Sequence, residues 1–191
     1  MIFQEIGLPG AYLVEPEPHR DERGLFARTW SVAEFRERGL ATEFDHCATS
    51  FNERPDTLRG LHYQAGDEPE IKLVRCTRGR IFDVIVDLRP SSPTFRRWFA
   101  TVLDQDNRRM IYAPAGFAHG FQSLEPASEV FYQIAAHFRP ELQRGLRWND
   151  PTLAIKWPPA RSRIISARDL ALPFLEPASA REAAWEATCT P

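Results

Sequence analysis

The sequence is poor in the features that would brace it covalently or carry it into a membrane. Three of its 191 residues are cysteine, Cys47, Cys76 and Cys189. An odd number without a CxxC spacing argues against a disulfide framework and against a structural zinc site. No run of about 18 apolar residues occurs, so no helix is expected to cross a bilayer. The opening stretch, Met1-Ile2-Phe3-Gln4-Glu5-Ile6-Gly7, has neither a basic n-region nor a long apolar h-region, which predicts no secretory signal. With free thiols, this points to a cytoplasmic protein. Charge of one sign is also missing: 24 basic and 26 acidic residues leave a net charge of −2. The basic excess that nucleic-acid binding requires is therefore not there.

Glycine is scarce at 10 residues, against 16 prolines, 13 phenylalanines and 5 tryptophans. Many prolines with many aromatics favour short strands and turns over long helices. With 43% hydrophobic and 26% charged residues, the composition is that of a folded globular chain. The length predicts one domain over residues 1–191, with a peripheral tail at about 171–191.

Local patterns agree. Ser31-Val32-Ala33-Glu34 reads as a capping box, and Gly39 as the stop of the helix it opens. A second short helix is predicted to start at Ser166 and to include Ala167, Arg168 and Asp169. Residues 178–186 have helical propensity and little else. Between Thr42 and Trp157 the chain reads as strands. Ile71–Cys76 leads through a Thr77-Arg78-Gly79 turn into Arg80–Leu88. There Phe82, Val84, Val86 and Leu88 share one face, and Ile81, Asp83, Ile85 and Asp87 the other. Glu129–Ile134 is a further strand, and Pro90, Pro93, Pro114, Pro140 and Pro151 punctuate the runs. Many short strands without βαβ alternation predict an all-β sandwich or barrel.

Two of the five histidines, His62 and His119, sit among apolar residues and glycines rather than in charged runs. Together they suggest a shared polar site at the mouth of a barrel. A barrel metal site would need a third ligand, and no carboxylate follows His62 at ligand spacing; no metal is expected. Arg59 and Lys72 lie on apolar strands, where long cations can face a polar cavity and hold an anion such as a diphosphate. Arg23 is a further candidate.

The motifs taken in order resemble the dTDP-4-dehydrorhamnose 3,5-epimerase family. They are Asp21-Glu22-Arg23-Gly24, Leu58-Arg59-Gly60-Leu61-His62-Tyr63-Gln64, Lys72-Leu73-Val74-Arg75, Asp83-Val84 through Asp87-Leu88-Arg89, and Ser92-Pro93-Thr94-Phe95. Gly116-Phe117-Ala118-His119-Gly120-Phe121, Trp148-Asn149-Asp150, Ile155-Lys156-Trp157-Pro158 and Ser166-Ala167-Arg168-Asp169 follow. The resemblance implies a cupin-type jelly roll (a double-stranded β-helix) with a few short peripheral helices, no cofactor, and a homodimer with strand exchange. It implies that His62 is the proton-abstracting base and Asp169 its orienting partner. Tyr132 is then the acid on the opposite sugar face, and Lys72 stands near the developing enolate oxygen. His119, Arg59 and Arg23 would contact a nucleotide-diphosphate sugar, joined by Phe26 and Gln64 from the same motifs.

The chemistry those roles describe is coherent. In a 4-keto-6-deoxy sugar the C3 and C5 hydrogens are both alpha to the carbonyl. Removing one leaves an enolate whose oxygen needs a donor or cation, and reprotonation from the other face inverts the centre. An imidazole suits the base, and a buried aspartate would set its tautomer. Departures from the family pattern cluster at Arg28, Cys47, Ala48, Thr49, Gln143 and Arg168, where the family mostly contacts nucleotide and outer substrate. Phe138 stands where the family often has a tyrosine. The alternatives left open are inversion of a single centre on a GDP- or CDP-linked sugar, a metal-dependent cupin using His62 and His119, and a binding module without catalysis.

Overall fold

The computed structural model describes residues 1–175. Six strands form an antiparallel sheet in the order β1 (Ile2–Glu5), β2 (Tyr12–Glu15), β10 (Met110–Ala113), β7 (Lys72–Arg78), β12 (Ser128–Ile134) and β5 (His46–Asn52). Five more form a second, in the order β13 (Gln143–Gly145), β6 (Leu58–Gln64), β11 (Phe117–Ser123), β8 (Arg80–Asp87) and β9 (Trp98–Asp104). A hairpin of β3 (His19–Asp21) and β4 (Gly24–Phe26) stands outside both. Among the described residues helix is confined to α1 (Val32–Arg36), α2 (Ala167–Leu170) and one 3-10 turn at Pro140–Leu142. Two antiparallel sheets packed face to face are the all-β sandwich that the strand pattern predicts and the jelly roll that the resemblance implies. Among the described residues no helix is long and apolar enough to cross a membrane.

Three apolar layers hold the sheets. Between them lie Leu13, Val74, Ile111 and Val130 from the six-stranded sheet against Ile81, Ile85, Leu103, Phe117 and Phe121 from the other. The outer face of the five-stranded sheet, with Val84 and Val86, is covered by Leu146, Leu153, Ile155 and Trp157. Part of the outer face of the six-stranded sheet, at Val14, Leu73, Met110 and Tyr112, is covered by Phe35 of α1 together with Trp30 and Phe44. Both faces of β8 are therefore buried, which is why its sequence is apolar on both parities instead of alternating with polar residues. Each fully buried large side chain is worth about 1.5–3 kcal/mol, so these layers, rather than local propensity, hold the strands in register.

One local reading needs correction. Ser31 occupies the N-cap of α1, but its hydroxyl makes no capping bond. Glu34 turns instead to the Met1 amino group at 2.7 Å and to Arg28 at 3.6 Å. A full charge close by outcompetes one backbone N–H. The stop at Gly39 holds, with φ of +67°.

The tail predicted as peripheral is anchored over its described part. Arg147 N–H donates to the Pro173 carbonyl at 2.8 Å, Leu175 N–H donates to Asp150 at 2.6 Å, and Leu175 packs into the outer core. The rest of that tail, the helical propensity at 178–186 and Cys189 lie outside the described residues. Cys47 is exposed and Cys76 buried, and both are free thiols.

Candidate active site

At one end of the sandwich the interior layer turns polar and opens into a cavity of about 440 Å³. One wall is built on a break in strand regularity. Along β11 and β6, His119 pairs with His62 but Phe121 pairs with Arg59, so the register slips by one residue. The slip sits at Gly60, whose φ is +115°. A Cβ there would come within 2.7 Å of Gly120 Cα and 2.8 Å of the His119 carbonyl, so only glycine lets the strands approach so closely. A slip of this kind re-aims side chains. Arg59 and His62, three residues apart, both line the cavity; a regular strand would send them to opposite faces.

The His62 Nε2 lies 2.8 Å from Asp169 Oδ1, while Asp169 Oδ2 accepts the Gly60 N–H at 3.1 Å. The residue whose backbone aims His62 is thus tied to the carboxylate that orients its ring. Asp169 itself is 6% exposed. Burial alone would push its carboxyl up, but the bonds and charge from His62 and the Gly60 N–H outweigh burial and hold it below the ordinary 3.8. It is therefore an ionised acceptor at neutral pH. A neutral His62 must donate its Nε2–H to it, leaving the lone pair on Nδ1 as the base. The short helix that carries Asp169 is seated from both sides. Ile164 bridges to Thr57, Ser166 caps the helix by accepting the Asp169 N–H at 3.0 Å, and the 171–175 segment returns over Gly145. A Cβ on Gly145, which pairs with His62 across β13 and β6, would meet Leu172 at 2.7 Å.

The facing wall comes from the six-stranded sheet. On β12 and β7, Tyr132 and Lys72 share the inward parity with Val130 and Val74, the apolar floor of the same rows. The Tyr132 hydroxyl is 3.3 Å from Ser50 Oγ, and its ring stands edge-on to His119 with centroids 5.9 Å apart. Burial pushes the phenol above its ordinary range, and the Ser50 contact offsets only part of that. Tyr132 is therefore protonated at neutral pH. His119 Nε2 lies 2.7 Å from Asp83 Oδ2, which accepts its N–H deep in the interior. Lys72 donates to the His62 carbonyl at 3.1 Å and pairs with Glu70 at 2.6 Å. An imidazole backed by a carboxylate and a protonated phenol thus face one sugar-sized hollow from opposite sheets.

A family model described as dTDP-4-dehydrorhamnose 3,5-epimerase matches residues 5–177. The chain belongs to that family. The epimerase of that name from Methanothermobacter thermautotrophicus is 44% identical over 82% of this chain and 83% of its own. The crystal structure of the Bacillus anthracis epimerase with TDP and PPi bound superposes with a TM-score of 0.87, at 37% identity, covering 91% of this chain and 99% of its own. The Legionella pneumophila epimerase, solved in complex with dTDP-4-keto-L-rhamnose, superposes equally well at 0.87, with 32% identity over 95% and 96% of the two chains.

Within this epimerase fold the residues singled out from the sequence fall into three groups. His62, Tyr132, Asp169, Lys72, Arg59, His119, Gln143 and Arg168 line the cavity. Arg59 is aimed by Asn52, whose Oδ1 accepts its Nε–H at 2.9 Å. Gln64 lines the cavity too, but its amide is fully engaged. It donates to the Glu68 and His137 carbonyls and accepts from Arg139 N–H and Gln143 Nε2. These four bonds tie the 65–71 and 135–142 loops together at the cavity wall. Arg23, Phe26, Arg28, Cys47 and Thr49 lie outside this chain's own cavity. Arg23 is ion-paired to Asp21 on the exposed hairpin, and Cys47 and Thr49 occupy the outward parity of β5, whose inward residues His46 and Ala48 line the cavity.

Sequence reasoning missed Asp83, Glu70, Ser50 and Asn52. Asp83 did carry a signal, an acid between Ile81 and Ile85 on one parity of β8, and such a buried residue must find a partner. Glu70 precedes its strand in a loop and gave none.

Proposed function

We propose that the chain epimerises C3 and C5 of a dTDP-linked 4-keto-6-deoxyhexose. What carries this reading is the pairing, across one cavity, of His62 backed by ionised Asp169 with protonated Tyr132. His62 Nδ1 takes the proton from the carbon alpha to the C4 carbonyl, and the electron pair moves onto O4 as an enolate. Lys72 and His119 stand where that charge develops and stabilise it. Tyr132 then gives its proton to the opposite face of the same carbon, which inverts the centre. His62 loses a proton to water and Tyr132 regains one, so no hydride or electron is transferred and no cofactor is called for. Arg59 and Arg168 at the rim supply cations for the diphosphate.

Incubating the protein in D2O with dTDP-4-keto-6-deoxyglucose tests the reading by mass spectrometry and NMR. Deuterium is expected at C3 and C5 with both centres inverted. No wash-in with dTDP-, GDP- or CDP-linked substrates would overturn it. A second reading, inversion of one centre, is favoured by Phe138, which brings a ring without a hydroxyl to the cavity wall; deuterium at one carbon alone is its signature.

We also propose a homodimer in which the residues outside the cavity serve the partner's site. In support, Thr49 pairs with Phe131, Phe131 with Arg75, and Arg75 lines a groove with Phe26, so the outer face of the six-stranded sheet joins them into one surface. Phe26 and Phe51 are 74% and 46% exposed, an apolar display that monomers seldom leave uncovered. Light scattering is expected to give twice the chain mass; a fully active monomer would refute the dimer. The free thiols of Cys47 and Cys76 support placing this activity in the cytoplasm.

A further inference from the structure

Lys72 has four rotatable side-chain bonds, and a lysine at a cavity wall ordinarily samples many positions. Here it does not have that freedom. Its ammonium sits between the His62 carbonyl at 3.1 Å and the Glu70 carboxylate at 2.6 Å. Both Lys72 and Glu70 are only 8% exposed, and both border the cavity. Burying such a pair costs desolvation, so it is weak evidence for stability. Glu70 belongs to the loop between β6 and β7, and that loop is itself pinned where Gln64 donates to the Glu68 carbonyl at 2.7 Å. An ammonium has three N–H donors. With one on the His62 carbonyl and the charge held against Glu70, the ammonium is kept at one place on the wall opposite Asp169.

We infer that Glu70 is a positioning residue for the epimerisation, acting through Lys72. It fixes the ammonium that receives the enolate oxygen and, through the His62 carbonyl, joins that ammonium to the strand bearing the base. This inference rests on the function proposed above. Glu70 does not touch the reacting carbons, and its effect should disappear once Lys72 is gone.

The test is a double-mutant cycle on full-length protein with dTDP-4-keto-6-deoxyglucose, comparing wild type, Glu70→Ala, Glu70→Gln, Lys72→Met and Glu70→Ala/Lys72→Met. Turnover, KM, dTDP affinity and melting temperature are read for each. Misplacing a catalytic group by about 1 Å can cost about 100-fold. Glu70→Ala is therefore expected to lower kcat by roughly tenfold to a hundredfold, with KM and dTDP affinity nearly unchanged. Glu70→Gln keeps an acceptor at the same place and is expected to recover most of the loss. The double variant, which leaves no unpaired buried charge, is expected to match Lys72→Met in turnover. If Lys72→Met does not fold, the kcat loss in Glu70→Ala and its recovery in Glu70→Gln decide the matter. Unchanged kcat in Glu70→Ala, losses that multiply in the double variant, or a fall in melting temperature alone would overturn the inference. Wild-type protein that washes no deuterium into the sugar would instead sink the proposed function, and this inference with it.

Discussion

Replacing His62 with alanine is expected to lower turnover by about 10³- to 10⁴-fold, the upper range for loss of a general base. The variant removes the imidazole that Asp169 orients, and no other base among the described residues of the cavity is placed to substitute. Lys72 is paired with Glu70, His119 is engaged by Asp83, and His46 turns to Asp45. The change also strands Asp169, a buried carboxylate left with the Gly60 N–H at 3.1 Å and the bond of its own N–H to Ser166. A buried charged group that loses its partner costs about 1–3 kcal/mol or more. Stability and dTDP affinity must therefore be measured beside kcat. Retained dTDP binding with lost deuterium wash-in at both carbons identifies the base. A variant that keeps a tenth of wild-type turnover would remove His62 from that role.

Tyr132→Phe is expected to separate the two halves of the reaction. The ring keeps its edge-on packing against His119, while the 3.3 Å hydrogen bond between the phenol and Ser50 is removed. Removing that bond costs about 1 kcal/mol of stability. The base remains, so proton removal continues, and His62 can return a proton to the face from which it came. Net inversion should fall by about 10²- to 10³-fold, while solvent deuterium still enters the sugar with retention. The ratio of exchange to inversion, read by NMR, is the diagnostic. Parallel loss of both would mean that Tyr132 does not act as the acid of the second half. The sign of the pH dependence follows from burial. Because the phenol is held above its ordinary 10.0, wild-type activity should show no alkaline fall from Tyr132 ionisation below about that pH.

How much of this could be read from the chain alone depended on how local each signal was. The short strands, their proline punctuation and the Ser166-to-Asp169 helix were legible because turns, caps and β-branched runs act over a few residues. The capping box at Ser31 failed for a non-local reason: the Met1 amino group, 33 residues from Glu34, reached the side chain that the box required. His62, Asp169, Tyr132 and Lys72 were assigned through resemblance to a family. Periodicity could not have placed Arg59 and His62 on one wall, because a one-residue slip at Gly60 breaks the alternation on which such reasoning depends. The hydrogen bonds of Gln64 were equally hidden. Nothing in RGLHYQ shows that loops 65–71 and 135–142 will saturate its amide.

The residue pattern by itself determined an all-β chain, rich in two-sided apolar strands and carrying a small set of acid–base side chains. Tertiary structure decided which carboxylate faces which base: Asp169 with His62 across 107 residues, Asp83 with His119 across 36, and Glu70 with Lys72 from a loop. Charge pairing in a buried cavity is a property of distance and dielectric. Distances between strands follow from how two twisted sheets close over a core, which no single strand encodes.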